Sequence, residues 1–281
     1  MAPVKELHAA SRAALSAAGS VLDAQLGDGT DAARIDVAAV GAELFAVVGL
    51  LDNQIGLRRT LADSSTEAAG REALVTGLLR GKVSDATLAV VGAVVGDRWS
   101  NPRELVDGIE SLATTALLIG AERADRLDTV EDELFRLGRI VAVEGSLEQA
   151  LSSRTAPKSA KVELLTTLLG GKVDPTTAAL VENLVTAPRG RDVVGGLENL
   201  AAAAARRRER SVAHVISAGS LSAAQQERLS AILQRIYQRP IALHVEVDET
   251  LLGGLVIRVG DEVIDGSTIG RLDAARRTLA G

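Results

Sequence analysis

The side chains that most often carry chemistry in proteins are scarce in this sequence. There is no cysteine, and there are three histidines, His8, His214 and His244. The lack of cysteine excludes disulfides, thiolate metal sites and a cysteine nucleophile. His8 falls in a polar helix, while His214 and His244 fall in separate predicted strands, where histidines are more often half-exposed residues than metal ligands. We therefore predict no catalytic, metal-binding or cofactor-binding residue.

Two glycine–lysine pairs, Gly81-Lys82 and Gly171-Lys172, have the residue types of a phosphate-binding loop. That loop needs a glycine five residues before the second glycine, and a serine or threonine after the lysine. The first of these positions holds Thr76 in one case and Thr166 in the other, and valine follows each lysine. Both pairs are therefore predicted to be turns that end helices.

Composition and charge narrow the class of protein further. Of the 281 residues 47% are hydrophobic but only 1% are aromatic. The core must therefore be aliphatic, and the abundance of alanine favours helices. A net charge of −6 argues against general nucleic-acid binding. The longest uncharged apolar run, Ala86 to Gly96, is about half the ~20 residues of a spanning helix, and the N-terminus lacks a signal-peptide core. We expect a soluble protein that reaches a membrane only through a partner.

One region is basic against this acidic background. Residues 201–239 contain seven arginines and two glutamates, a balance of +5 that leaves −11 for the rest of the chain. The run from Arg206 to Arg210 is typical of a solvated helix end, where cations complement the helix dipole. A binding site for an acidic partner helix is the alternative.

The first two hundred residues contain a duplication at a spacing of ninety. Glu43-Leu44-Phe45 recurs as Glu133-Leu134-Phe135, and Gly81-Lys82-Val83 recurs as Gly171-Lys172-Val173. Such self-similarity at a fixed period indicates two copies of one helical unit. We call residues 1–110 copy one and residues 111–210 copy two.

Each copy is predicted to be a bundle of helices with short connections. Apolar residues recur three or four positions apart, as between Leu127 and Ala142. Asn101-Pro102 and Asp174-Pro175 are typical helix starts, and Ser146 is a further predicted cap. A helix over about residues 103–126 is predicted to end copy one and begin copy two, which would make the bundles a rigid pair.

Residues 211–281 change to the pattern of a small α/β domain. Apolar and polar residues alternate in the predicted strands, and Ser222 to Gln225 is a capping box that opens a helix. The predicted strands are Val212–Ala218, Ile241–Val247, Leu255–Val259 and Val263-Ile264, and a closing helix is predicted through Arg277. The fold class is mainly α with a small α/β C-terminal domain, that is, two tandem helical bundles followed by a small mixed sheet with helices.

The C-terminal residues are close to a family signature. They read Leu252-Gly-Gly-Leu-Val-Ile-Arg-Val-Gly-Asp261, then Val263-Ile-Asp-Gly-Ser267, then Gly270-Arg-Leu272. This segment resembles the delta subunit of the F-type ATP synthase, called the oligomycin-sensitivity-conferring protein in mitochondria. The resemblance extends from about Leu112 to the C-terminus, and the additional helical copy is similar to the extended delta subunits of actinobacteria. The signature residues, expected to serve structure, are Gly253, Gly254, Gly260, Asp265, Gly266, Ser267, Gly270 and Arg271.

The resemblance implies a non-catalytic stator subunit without a cofactor, peripheral on the cytoplasmic face of the bacterial plasma membrane. It implies that the helical domain binds the N-terminal helices of the alpha subunits, and that the C-terminal domain receives the end of the b subunit. In the family the alpha helix lies between the first and fifth helices. Mapped onto copy two, this groove is expected to include Leu118, Ile119, Leu180 and Leu184, and the alternative is that these four are core residues.

Two questions stay open from sequence. The alternative function is a helical-repeat adaptor or regulator that carries a delta-like tail. The extra copy has two candidate roles, which are to hold a second alpha helix or to brace a stalk subunit.

Overall fold

The chain divides into two compact units, each with its own core. They span Met1–Ala204 and Ala205–Gly281, and we call them the helical unit and the α/β unit. The structure is a computed structural model that describes residues 7–27, 35–153, 155–210, 212–237, 241–248, 251, 253–259 and 262–266. The predicted fold class is confirmed, because twelve helices and a four-stranded mixed sheet lie within these residues.

The helices of the two copies follow one another in the same order. Copy one contains α1 (Ala9–Gln25), α2 (Val37–Asn53), α3 (Ile55–Ala62), α4 (Ala68–Leu79), α5 (Asp85–Gly96) and the start of α6 (Pro102–Arg123). Copy two continues with α7 (Leu127–Val143), α8 (Gly145–Ser152), α9 (Lys158–Leu169), α10 (Pro175–Thr186) and α11 (Val193–Arg210). Helices α2 to α5 are offset from α7 to α10 by ninety residues, as the duplication predicts.

Side chains at the helix starts explain several of these boundaries. Asn101 accepts hydrogen bonds from the N–H groups of Arg103 and Glu104, both at 3.0 Å, and Pro102 opens α6. Asp174 accepts from the N–H of the second residue of α10 at 2.7 Å. The prediction for Ser146 was wrong, since α8 begins one residue earlier and its N-cap position is Glu144.

Glycine ends the fourth helix of each copy. Gly81 and Gly171 have φ values of 76° and 68°, in the left-handed region that glycine adopts at little cost. In both turns the N–H of the following lysine, Lys82 or Lys172, donates to a carbonyl in the last helical turn at 2.9 Å. The glycine–lysine pairs are therefore helix-ending turns, as predicted.

Helix α6 is part of two hydrophobic cores. Ile109, Leu112 and Ile119 lie in the core of copy one, whereas Leu117 and Leu118 lie in the core of copy two. Twelve of its 22 residues are buried, so more than one side of the helix is covered. The boundary predicted between copy one and copy two falls inside this helix, and a division into separate domains there stays a prediction.

The α/β unit builds a mixed sheet around one parallel pair. Its elements are β1 (Val212–Ser217), α12 (Ala223–Tyr237), β2 (Ala242–Val247), β3 (Leu255–Val259) and β4 (Glu262–Asp265). The strand order is β2-β1-β3-β4, with β1 and β2 parallel and the other neighbours antiparallel. The predicted capping box is present, since Ser222 N–H donates to Gln225 Oε1 at 2.8 Å. The predicted closing helix falls outside the described residues.

No single helix in the described ranges combines the length and hydropathy of a membrane span. Helices α2 and α3 reach that length and hydropathy only as a pair, and the pair is bent by 106°.

Two glycines of copy one give opposite predictions for added bulk. A Cβ at Gly108 would lie 2.1 Å from Cη2 of Trp99, a buried ring held by a 2.7 Å hydrogen bond to a carbonyl of α5. We expect Gly108→Ala to lower the free energy of unfolding by about 1–3 kcal/mol through overpacking. Gly92→Ala meets open space on α5 and should raise it by about 0.4–1 kcal/mol. Urea unfolding followed at 222 nm checks this, and equal midpoints for both variants would contradict it.

Candidate interaction surfaces

His8 joins a hydrogen-bond cluster that ties α1 to α6. Its Nδ1 lies 2.5 Å from Glu104 Oε1, and Asn101 Nδ2 donates to the same oxygen at 2.7 Å. Burial raises the pKa of Glu104, but hydrogen bonds from Ser11, His8 and Asn101 outweigh it, so that the pKa lies below its usual value. A carboxylate held in this way joins two helix starts.

The other two histidines are neighbours on the sheet. His214 and His244 occupy paired positions of β1 and β2, and their ring centroids are 5.5 Å apart. Within the described part of the chain, no group of three or more His, Cys, Asp or Glu side chains is placed to hold a metal ion.

A carboxylate connects α2 to the start of α5 in copy one. Glu43 Oε2 accepts hydrogen bonds from Ser84 N–H at 3.0 Å, Ser84 Oγ at 2.6 Å and Thr87 Oγ1 at 2.5 Å. Burial raises the pKa of Glu43, but these hydrogen bonds together outweigh it and lower the pKa below its usual value. The ionised form is therefore the one that the fold stabilises.

The same connection recurs ninety residues later. Glu133 accepts from Asp174 N–H at 2.9 Å and from Thr177 Oγ1 at 2.6 Å, and so joins α7 to the start of α10. Glu133 corresponds to Glu43 in the repeat. The duplication is thus retained in a partly buried polar contact as well as in the apolar positions.

Each copy has a buried basic residue, at the same position of the repeat, that donates hydrogen bonds to carbonyls at helix ends. Arg71 Nε donates to the carbonyl of Val95 at 2.8 Å, and the same guanidinium reaches further carbonyls. Lys161 Nζ donates to the carbonyls of Leu151 at 2.7 Å and Val185 at 3.2 Å, and burial lowers its pKa. Lys161 and Val185 stand ninety residues after Arg71 and Val95. Each basic group therefore satisfies carbonyls at the ends of helices that would otherwise be buried without partners.

An ion-pair network locks copy one to copy two. Arg189, in the turn after α10, contacts Asp52 of α2 at 3.2 Å, and Asp107 and Glu110 of α6 at 2.6 and 2.8 Å. Arg191 also pairs with Glu110. The Arg189 side chain is only 12% exposed and its backbone is left-handed, with φ 51°. Such strain in a non-glycine residue persists where the surroundings hold it in place.

All four predicted groove residues are buried. Leu118, Leu180 and Leu184 lie in the core of copy two, and Ile119 lies in the core of copy one, each no more than 5% exposed. The structure therefore brings three of them together in one core and places the fourth in the other. Their contact with an alpha helix stays a prediction.

Helix α2 of copy one covers part of α6 close to these positions. A Cβ at Gly41 of α2 would lie 2.5 Å from Leu117, and Gly120 of α6 faces Val37. Phe45 of α2 packs against both cores. The part of the predicted groove that α6 forms, as the first helix of copy two, is thus partly covered by α2 of copy one.

Comparison with known proteins decides the family. The sequence profile of the ATP synthase delta (OSCP) subunit matches residues 109–279. The protein called ATP synthase subunit delta in Streptomyces griseus is 47% identical over 98% of this chain and 100% of its own length. The chain belongs to the ATP synthase delta (OSCP) family. Its relative of the same name in Nocardia farcinica is 48% identical, over 98% of this chain and 100% of its own length.

The two kinds of match differ in extent. The family profile begins at residue 109, inside α6, and so covers copy two and the α/β unit. The actinobacterial relatives also match copy one. This chain is therefore the extended actinobacterial form that the resemblance predicted, with the additional helical copy in front. A chain of the Toxoplasma gondii mitochondrial ATP synthase hexamer aligns with a TM-score of 0.32 at 20% identity, over 60% of this chain and 95% of its own.

Four signature residues are described, and they lie just before β3 or at the end of β4. Gly253 and Gly254 have φ values of 141° and 88°, which few other residues adopt. Asp265 is the last residue of β4, and Gly266 N–H donates to the carbonyl of Leu255 at 2.8 Å. Four further signature residues, Gly260, Ser267, Gly270 and Arg271, lie outside the described residues.

Two structural features were not identified from sequence. The ion-pair network of Arg189 joins residues 79 to 137 positions apart, and no local pattern reveals it. The buried pair Arg71 and Lys161 did leave a signal, since two basic residues stand at the same repeat position inside apolar helices.

Replacing Glu43 tests the carboxylate contact through pH. Glu43→Gln should cost about 1–3 kcal/mol of unfolding free energy at pH 7, because bonds to a charged acceptor are lost. Since folding lowers the Glu43 pKa, the wild-type advantage is complete above the usual glutamate pKa of about 4.3 and disappears as the pH falls through the lower folded value. Urea unfolding at pH 7, 5 and 3.5 measures this. Glu163→Gln, at an exposed site on α9, is the control, and a gap that does not narrow between pH 7 and pH 3.5 would contradict the assignment.

Proposed function

We propose that this chain is the stationary link between the catalytic head and the membrane-anchored stalk of the ATP synthase. As a member of the delta (OSCP) family, it is a peripheral-stalk subunit of that complex. The observation that carries this conclusion is the match over 98% of the chain to relatives called ATP synthase subunit delta. Because the match includes both helical copies, it also argues against an unrelated adaptor that acquired a delta-like tail.

The finer parts of the proposal concern partners and location. The helical unit binds N-terminal helices of the alpha subunits, and the α/β unit receives the end of the b subunit. The chain itself catalyses nothing, and it works at the cytoplasmic face of the bacterial plasma membrane. By holding the head still, it allows proton-driven rotation to produce ATP.

The geometry of the helical unit supports a holding role. Copies one and two share α6 and are joined by the ion-pair network around Arg189. A stator transmits torque, and a flexible linker between its parts would absorb it. The contacts between the copies instead oppose their relative rotation.

The outward side of α5 supports a role for the extra copy. Leu88, Ala89, Gly92 and Ala93 are half-buried on this side, and none of them is polar. An apolar stripe of this kind suits an amphipathic helix with anchors three and four residues apart. We therefore favour the first of its two candidate roles, which is to hold a second alpha helix between the first and fifth helices of copy one.

Removal of the chain tests the function as a whole. ATP synthase stripped of this chain should hydrolyse ATP in its head at an undiminished rate, but it should no longer pump protons. Adding the full chain back should restore pumping. Proton pumping is followed by quenching of a pH-sensitive dye in membrane vesicles. Full pumping by the stripped complex would refute the stator role.

The repeat offers matched variants for the alpha-helix contacts. Ala93 on α5 and Asn183 on α10 stand at equivalent positions, and both are half-buried. We expect Ala93→Glu and Asn183→Glu each to weaken binding of an alpha N-terminal peptide to one of two sites on the full chain by about tenfold, because each places an uncompensated charge in the contact. Calorimetric titration counts the sites. A single site that is unaffected by Ala93→Glu would exclude copy one as a binding site.

A further inference from the structure

The outward surface of α7 carries large apolar side chains in solvent. Phe135, Ile140 and Val143 are 57%, 53% and 80% exposed. Phe135 and Val143 lie eight residues apart, with Arg139 midway between them on the same side of the helix. We call Phe135, Arg139, Ile140 and Val143 the α7 surface. Exposed apolar groups gathered in this way usually mark an interaction site rather than ordinary surface.

The repeat shows what the corresponding surface does in copy one. Phe45 is the counterpart of Phe135, and it is half-buried because it packs against the cores of both copies. In copy one, therefore, this position of the helix is used to dock a neighbouring bundle. Phe135 keeps the side chain but is left largely uncovered in the described chain.

Two further sequence differences between α2 and α7 indicate that the α7 surface contacts another protein rather than solvent. Where α2 has Asn53, near its end, α7 has Val143, and where α2 has Gly49, α7 has Arg139. Valine in place of asparagine at a site that is 80% exposed does not stabilise the folded chain. Burial of this valine against another chain would stabilise a complex.

The charges of the α7 surface indicate the chemistry of that partner. From Phe135 to Val143 the only charged residues are Arg136 and Arg139. Arg136 pairs with Asp132 at 2.9 Å, whereas Arg139 makes no hydrogen bond or ion pair with any described residue. An unpaired arginine between exposed apolar side chains suits a carboxylate surrounded by apolar groups, and phenylalanine and arginine are both frequent at the centres of interfaces.

We propose that the α7 surface binds an acidic amphipathic helix from another chain of the ATP synthase. The helix would place apolar side chains three and four residues apart over Phe135, Ile140 and Val143, and a glutamate or aspartate at Arg139. This contact lies on the second helix of copy two, away from the groove between first and fifth helices. It rests on the proposed function, because it takes its partner from the same complex.

Binding of the full chain to ATP synthase stripped of this chain tests the proposal. The test variant is Phe135→Ser with Arg139→Glu. The matched control is Ile55→Ser with Arg59→Glu, which changes an exposed apolar residue and an exposed arginine on α3. We expect the test variant to bind at least about tenfold more weakly and the control to stay within about twofold of wild type. All three proteins should unfold at the same temperature, since the altered side chains are exposed.

The outcomes separate this proposal from the function on which it rests. Failure of the wild-type chain to bind the stripped complex would refute the stator role. Binding by the test variant that equals wild type, or losses that are equal in test and control, would refute only the α7 contact. If the double variant unfolds early, Val143→Glu alone replaces it, because that side chain is the most exposed of the three apolar residues.

Cross-linking identifies the occupant. The chain contains no cysteine, so Val143→Cys introduces a single thiol for a photoreactive label. In the reassembled complex we expect the label to attach to a helical segment of another subunit that contains acidic and apolar residues. A product formed with a second copy of this chain, or no product at all, would overturn the proposal.

Discussion

The whole helical unit depends on the double burial of α6. Neighbouring side chains of this helix enter different cores, as Leu118 and Ile119 show. Turning one copy against the other would expose one of these sets of side chains, at a cost of about 1.5–3 kcal/mol for each large aliphatic group. The shared helix therefore makes a single stiff body from two repeats, and the ion pairs of Arg189 add a second connection between them.

The two copies have kept their interior contacts and changed their surfaces. Glu43 and Glu133 still connect the same pair of helices, and Arg71 and Lys161 still close the same helix ends. These groups are constrained because a buried polar partner left unsatisfied costs more than the bond itself contributes. The outward positions, by contrast, differ in polarity. Some are apolar in copy one and polar in copy two, and others are polar in copy one and apolar in copy two. Divergence at outward positions, beside interior contacts that are retained, indicates different partners on one scaffold.

Local chemistry explains why so much of the fold could be predicted. Asn101-Pro102, Gly81 and Gly171 determine helix ends through contacts a few residues apart. The ninety-residue repeat also allowed each helix to be predicted from two copies of the pattern. The orientation of helix faces depends on distant contacts, so it was not predictable in the same way. Leu118 and Ile119 were assigned to one groove by mapping the family's binding site onto the first helix of copy two, without knowledge of which way each side chain points. On a helix, adjacent residues differ by about 100° in direction, and here they enter separate cores.

Duplication is an economical way to strengthen a stator without a tighter single site. A second bundle joined through a shared helix presents additional surfaces at fixed positions, and the gain from several moderate contacts on one rigid body exceeds that of any one of them. The same gain would be small across a loose linker, because each contact would then form nearly independently. The burial of α6 in two cores thus holds the surfaces of the extra copy at fixed positions relative to copy two.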